Sequence, residues 1–551
     1  MSRLGVRTAI PVVSLAIALA AVAPARAEED PAAQPPFGGE RPPELVRAGS
    51  PEQVPPGFGL SAADAIAAAN ANETVLDELE ESTDARPIAY RRGERWQVSY
   101  VAGSGAEVAQ VILDGRSGAI EEAWRDFQVE TKLARGYEGA VAQLVNSAWI
   151  WIPLCALFVA PFFDPRRPFR LLHLDLLALV GLSLSLLFFN RAEITASVAL
   201  TYPALGYLLV RMLVAGLRPR DEPGPLIARA PVRLLAIGVV VLACGRIALN
   251  VADSQVIDVG VASVIGADRI VDGEPLYEGA FSPGVDLRGD VYGPAAYLAY
   301  VPFELAFGWE GTWDEVPAAH AAAITFDLLC ILGLIALGRR LRQGAEGRAL
   351  GWALAFAWVA CPWTLYTMNA NANDGLVAAL GVGALLAITS APVRGAMSAL
   401  ASAAKFGSAA LAPLFATATG ERRWRQAAVF TVAFVVVAAI CVIPFLPDGG
   451  LRDFYDRTLG YQATRGSPFS VWGQAPSLDA LQPLVRAGVV VLALGTALYP
   501  ARKSPIQVAA LAAALTIAVQ LSATHWFYFY VVWFLPFVLV AGFAAQARVT
   551  R

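Results

Sequence analysis

Residues 233–273 read RLLAIGVVVLACGRIALNVADSQVIDVGVASVIGADRIVDG: a run apolar enough to cross a bilayer, then four carboxylates, Asp253, Asp258, Asp268 and Asp272. A span needs roughly twenty apolar residues to cross about 30 Å of hydrocarbon, so the acids begin where the chain leaves the membrane. Asp268 and Asp272, flanked by Arg269 and Gly273, read as solvated. Asp258 differs, because its neighbours in VIDVGVASVIG are apolar on both sides. A carboxylate there is costly unless it is paired or used in chemistry.

The rest of the chain belongs to the same solvent. Of 551 residues 56% are hydrophobic and only 16% charged, with a mean hydropathy of +0.52. A soluble domain carries about 25% charge, so the composition indicates a polytopic membrane protein. Thirteen apolar runs qualify as candidate spans: 145–163, 171–189, 196–217, 231–249, 291–309, 320–338, 349–365, 374–389, 395–418, 428–446, 480–499, 506–524 and 526–546. No basic stripe with interleaved aromatics supports nucleic-acid binding. The five cysteines (155, 244, 330, 361 and 441) all fall in apolar runs without C-x-x-C spacing, and read as small buried hydrophobes.

Ahead of the spans, Arg3, Arg7, an apolar stretch and APARA have the layout of a secretory signal over 1–27, the alternative being an uncleaved first span, and either reading leaves the following segment outside. Residues 28–57 are rich in Pro, Glu and Gly and read as a flexible leader. Within 58–135, Ser61 stands three positions before Asp64 as a helix cap, and RWQVSYV (95–101) and AEVAQVILD (106–114) alternate around GSG as a hairpin. Residues 140–230 supply three accessory spans, and 231–551 the core, with exterior loops at 250–290 and 447–479.

Arginines test the topology, since basic residues accumulate on the cytoplasmic side. Starting outside, DPRRPFR, LRPRDEPGPLIARAPVR, ERRWRQ, ARKS and QARVTR all fall inside, and the acids after Asn250 fall outside. RRLRQGAEGR (339–348) disagrees: strict alternation places it outside. Either that loop is an exception, or a run between 291 and 418 is re-entrant and the parity shifts twice.

Several polar groups sit at or near membrane depth. Asn371, Asn373 and Asp374 interrupt two apolar runs, and Lys405 lies near the middle of 395–418. A lysine at the centre of a lone span costs on the order of 2.5–3.5 kcal/mol, which favours a broken helix exposing Lys405 at a surface. His525 stands between the last two runs. The loop 447–479 gathers Arg452, Asp453, Asp456, Arg457, Tyr461, Gln462 and Arg465. Guanidinium forks suit phosphate oxygens, while carboxylates, amides and rings suit sugars.

In order and spacing, the acidic segment followed by DVYGPAAYLAYVPF, then NANDG with the Lys405 run, RTLGYQATRGSPFSVWG and THWFYFYVVWFLPF, resembles the GT-C glycosyltransferases. Within that superfamily it is most similar to the mannosyltransferase-like glycosyltransferase family 87 (DUF2029-type) proteins. The helix and hairpin ending LDGRSGAIEEAW resemble a PepSY-type α+β module. The resemblance implies a polytopic α-helical GT-C-like fold of about 13 transmembrane helices in a bacterial plasma membrane, with an extracytoplasmic site and N-terminal domain. It implies transfer of a sugar, typically mannose or arabinofuranose, from a polyprenyl-phosphate donor to a glycan or glycolipid acceptor. The site residues it implies are Asp258 as base with Asp253 in reserve, Asp290 as a second acid, and Tyr292, Asn373, Asp374, Lys405, Tyr461, Gln462, Arg465 and His525 around the substrate. No metal ligands are assigned, and a divalent cation is the one cofactor left open. The competing reading is a transporter or flippase of a lipid-linked saccharide, built on the same intramembrane charges.

Overall fold

A computed structural model describes residues 45–130, 132–136, 142–227, 230–277, 281, 289–311, 316–418 and 423–548. The signal expected at 1–27, the leader up to residue 44 and part of the loop expected at 250–290 lie outside the described residues. Two compact units emerge, one from Pro31–Ala140 with Leu187–Ala196, the other from Val141–Leu186 and Ser197–Arg551.

The first unit is an antiparallel sheet in the order β1 (Leu45–Arg47), β2 (Arg86–Arg92), β3 (Arg95–Val101), β4 (Glu107–Asp114) and β5 (Ile120–Arg125). The leader reading is corrected in part, since 45–47 pairs with β2 through Leu45↔Arg92. Two helices, α1 (Ala62–Asn70) and α2 (Glu73–Glu81), supply the apolar partner for one sheet face. Trp96, Val98 and Tyr100 from alternate positions of β3 meet Ala65, Ala69 and Val75, as a period of two requires. Ser61 and Asp64 form a full capping box, satisfying two orphan donors at the start of α1.

The second unit is helical: α3 (Ala148–Val159), α4 (Leu171–Phe189), α5 (Ile194–Leu217), α6 (Val232–Ala252), α7 (Asp258–Asp272), α8 (Pro317–Leu341), α9 (Gly344–Ala360), α10 (Pro362–Asn369), α11 (Asp374–Leu386), α12 (Ala391–Ala404), α13 (Arg423–Val442), α14 (Gln482–Leu498), α15 (Pro505–Ser522) and α16 (Val531–Ala544). Six are long and apolar enough to cross a membrane: α4, α5, α6, α8, α15, and α13 with its continuation to Phe445. The pair α9 and α10, bent by 59°, makes a seventh if counted as one broken span. Thirteen such helices are not found among the described residues. The run at 291–309 divides into Pro294–Leu298 and Val301–Phe307, with Pro294 and Pro302 at the helix starts, where a missing N–H is tolerated. The runs at 145–163, 374–389, 480–499 and 526–546 yield apolar helices of 17 residues or fewer, and 395–418 breaks at Lys405. The cysteine reading also needs correction: Cys244 is exposed and Cys155 half-buried, on faces of a helix that apolar solvent can cover.

The break at Lys405 bears on the arginine conflict. After it the chain turns back, since Arg394 in α12 donates through Nε to Phe415 O at 2.6 Å. The segment 391–416 is therefore a helical hairpin, and the two short helices at 294–307 do not form a long span either. With both removed, 339–348 joins the other arginine segments: Arg342 donates to Ala544 O and Gln546 O at 2.8 and 2.7 Å, and Arg170 also bonds Gln546. Gln507 donates to Gly216 O at 2.9 Å, and Arg423 to Leu498 O at 3.3 Å. The arginine-rich segments thus gather at one end of the bundle, and the acids after Asn250 lie a helix length away at the other.

Candidate active site

At the acid end, an asparagine-rich break between α10 and α11 grips the chain that carries Asp258. Asn369 donates to Asp253 O at 3.0 Å, and Asn371 to Gln255 O at 2.9 Å and Ser254 Oγ at 3.0 Å. The Ile257 amide donates to Ala370 O at 3.0 Å, and Asn373 donates to Ser263 Oγ at 3.0 Å. Asn250, near the end of α6, donates to Asn371 Oδ1 at 2.8 Å and faces His320 Nδ1 at 3.1 Å. Asn371 has φ +52, a left-handed conformation that asparagine accepts more readily than most residues. Gly260 completes the clamp: a Cβ on it would stand 2.4 Å from Asn371 O. The backbone ahead of Asp258 is therefore held at Asp253, Gln255 and Ile257, and Ser254 and Ser263 are held through their hydroxyls.

Asp258 opens α7, with its own Oδ1 accepting from the Val259 amide at 2.7 Å. Water reaches the carboxylate, yet protein crowds it closely, as at the wall of a concavity. Burial pushes its carboxyl above the ordinary carboxylate range, while the Val259 N–H, Lys405 and Arg465 act in the opposite sense. The helix N-terminus also favours the anion.

Lys405 and Arg465 lie within electrostatic reach of that carboxylate. Lys405, 8% exposed, has its Nζ 3.6 Å from Asp374 Oδ1, which also accepts from Trp533 Nε1 at 2.8 Å. The rings of Tyr292, Tyr530 and Trp533 surround the ammonium, with centroids at 4.5, 5.9 and 5.9 Å. The surface exposure expected of Lys405 is not found; the helix breaks as expected, but a carboxylate and three rings replace water around the ammonium. Arg465, from the loop 447–479, donates to His525 Nδ1 at 2.8 Å, and Ser467 Oγ lies 2.9 Å from the same nitrogen. Arginine can only donate, so Nδ1 accepts and the ring proton sits on Nε2. Burial first, then Arg465 and Lys405, holds the imidazole well below its ordinary value. The result is a neutral donor beside two cations.

Residues 291–544 match glycosyltransferase family 87. They form a family-87 glycosyltransferase domain. No curated protein matches the chain. The match gives this domain a glycosyltransferase activity of the GT-C type on a sugar linked to polyprenyl phosphate, and the long apolar helices make the chain a multi-pass membrane protein. The matched segment begins after Asp258, and the contacts just described tie α7 to it.

Of the residues expected in the transferase site, Asp258, Tyr292, Asp374, Lys405, Arg465 and His525 come together. Asn373 lies behind them as part of the clamp. Tyr461 and Gln462 are half-buried on the helical turn that precedes Arg465. Two expected acids are elsewhere. Asp253 is the exposed C-cap of α6 and engages the clamp through its carbonyl. Asp290 accepts from Arg457 Nη1 at 3.1 Å, while Arg457 Nε holds Asp453 at 2.9 Å. Among the described residues no three His, Cys, Asp or Glu side chains cluster as metal ligands.

Sequence reasoning missed Tyr530, Trp533, Ser467 and the clamp function of Asn369 and Asn371. Tyr530 and Trp533 had a legible signal, because three-residue spacing places both on one helix face, where their rings lie 4.8 Å apart. Ser467 had none, since only the fold brings it to His525.

Proposed function

We propose that the transferase moves a mannose or arabinofuranose residue from polyprenyl phosphate to an extracytoplasmic glycan or lipid acceptor, with Asp258 as general base. The observation that carries this reading is the meeting of one water-accessible carboxylate, Asp258, with two cations, Lys405 and Arg465, from three separate segments. Asp258 takes the acceptor hydroxyl proton while that oxygen attacks the anomeric carbon. The bond from that carbon to the phosphate oxygen breaks, and its electron pair leaves with polyprenyl phosphate, giving inversion. The leaving group needs charge stabilisation and no proton, which suits Lys405, Arg465 and the Nε2–H of His525. Tyr292, Tyr530 and Trp533 offer ring faces to the sugar.

The positive-inside pattern supports placing the arginine-rich end in the cytoplasm and this site on the outer face of a bacterial plasma membrane. The N-terminal sheet unit then lies outside as a PepSY-like module. The flippase reading leaves the base-like setting of Asp258 without a task. The deciding experiment is transfer from a synthetic polyprenyl-phosphate sugar by the purified Asp258→Asn protein. Loss of transfer with donor binding retained supports the assignment; transfer at the wild-type rate removes Asp258 from the mechanism.

A further inference from the structure

At the arginine-rich end, about 27 Å from the site along the 18 residues of α15, lies a second polar cluster that sugar transfer does not use. Lys503 is 8% exposed, and its ammonium has one acceptor, Ala497 O, at a long 3.4 Å. That carbonyl is already taken by Thr417 Oγ1 at 2.9 Å. An ammonium carries three donors, so most of its hydrogen-bonding capacity is unspent. Arg423 faces the same helix end through Leu498 O and Ala501 O, at 3.3 and 3.4 Å. Arg425 and Arg502 stand exposed beside them in sequence.

The carbonyl end of α14 contributes about half a negative charge, which cannot balance two full cations. No ion pair joins Lys503 or Arg423 to a carboxylate among the described residues, and burial with the nearby Arg423 pushes the Lys503 ammonium down to about 8. A cation held this way is costly unless an anion completes its surroundings.

The surroundings also indicate the class of anion. Trp424, whose ring lies 4.9 Å from the Arg423 guanidinium, is 60% exposed, and Tyr499 is 64% exposed. Both are the amphipathic rings that settle at headgroup level. Just along α13, Val432 and Val436 are 64% and 50% exposed, a face for acyl chains.

We propose that Lys503 and Arg423 form a binding site for the phosphodiester of an anionic phospholipid headgroup, at the end of the bundle opposite the transfer site. Basic pockets between helices recognise such headgroups through the same chemistry. This inference does not depend on the transfer mechanism.

The test uses the full-length protein in mixed micelles, with phosphatidylglycerol or phosphatidylethanolamine added, and counts retained lipid by native mass spectrometry. Wild-type protein should retain phosphatidylglycerol several-fold better than phosphatidylethanolamine, and Lys503→Gln or Arg423→Gln should lose that preference. Equal retention of the two lipids, or full retention of phosphatidylglycerol by both variants, overturns the proposal. Arg423 is half-exposed, so Arg423→Gln keeps the test open if Lys503→Gln does not fold. In a parallel melting series, inorganic phosphate at millimolar concentration should protect less than phosphatidylglycerol. Protection by phosphate alone, absent with the lipid, would overturn the headgroup assignment.

Discussion

Lys405 and Asp374 form a buried ion pair, Nζ to Oδ1 at 3.6 Å, that ties the tip of a helical hairpin to the first residue of α11. Each side chain is almost wholly removed from water, 8% and 2% exposed. Breaking one side of such a pair costs about 3–5 kcal/mol, because the partner stays buried and uncompensated.

Lys405→Met should therefore lower stability by about that amount. The Lys405→Met/Asp374→Asn double variant should recover much of the loss while remaining inactive. Denaturation of all three proteins in detergent checks this; a double variant less stable than the single one would refute the pairing. Lys405→Arg keeps the charge but needs more room than three packed rings allow, so it should be folded and weak in donor binding.

For Asp258 the signs of stability and activity oppose each other. Its folded carboxyl is raised above the unfolded value, chiefly by burial, so the native state holds the proton more tightly than the unfolded chain does. Stability from this group is present at low pH and is lost as pH rises through the raised value. Asp258→Asn at neutral pH should accordingly melt no lower than wild type, and somewhat higher, while transfer is lost. A variant that lost activity and melted several degrees lower would show Asp258 to be structural.

Much of this arrangement was legible before the fold. Asp258 stood out because apolar neighbours made a carboxylate there expensive, and Lys405 because mid-span charge forces a broken helix; both arguments rest on local solvation. The hairpin at 391–416 left only an inconsistency in arginine parity as its sequence signal, since hydropathy does not distinguish a crossing from a return. Asp290 has Arg457 as its partner, which the sequence did not indicate. An acid at the mouth of a span looks alike whether it faces substrate or salt-bridges to a loop 167 residues later in the chain, and only tertiary contact shows Arg457 there. The clamp was half-legible: the asparagines were visible, but their partners are backbone carbonyls, which leave no trace in side-chain identity.

Asp290 and Arg457 should act by positioning. Asp290 is two residues from Tyr292, whose ring lies on Lys405, and Arg457 is eight before Arg465. Arg457→Ala should raise KM for the donor several-fold with a smaller effect on kcat. The charge-exchanged pair Asp290→Arg/Arg457→Asp should recover part of the loss. Equal loss in the single and exchanged proteins would dismiss the coupling.

Close approach of backbone makes a further prediction at Gly293. A Cβ there would stand 2.0 Å from Ala403 O, two residues before Lys405. Gly293→Ala should force the hairpin tip away from Tyr292, at a cost of about 1–3 kcal/mol, and weaken donor binding beyond what its stability loss explains. Gly245, with open space around its Cβ position, is the control: Gly245→Ala should leave both properties near wild type.

The pH profile separates the two titrating groups of the site. Asp258 must be ionised to accept a proton, and its carboxyl lies above the ordinary range, so kcat/KM should fall on acidification earlier than for an ordinary carboxylate. His525 is held well below its usual value by burial and by Arg465 and Lys405. It stays neutral through the working range and should add no limb near its unperturbed pKa of about 6.5. His525→Gln keeps an N–H donor in the same place. It should reduce kcat/KM for the donor while leaving the position of the acid limb unchanged between pH 4 and 8. Disappearance of that limb in His525→Gln would transfer the base role from Asp258 to the imidazole.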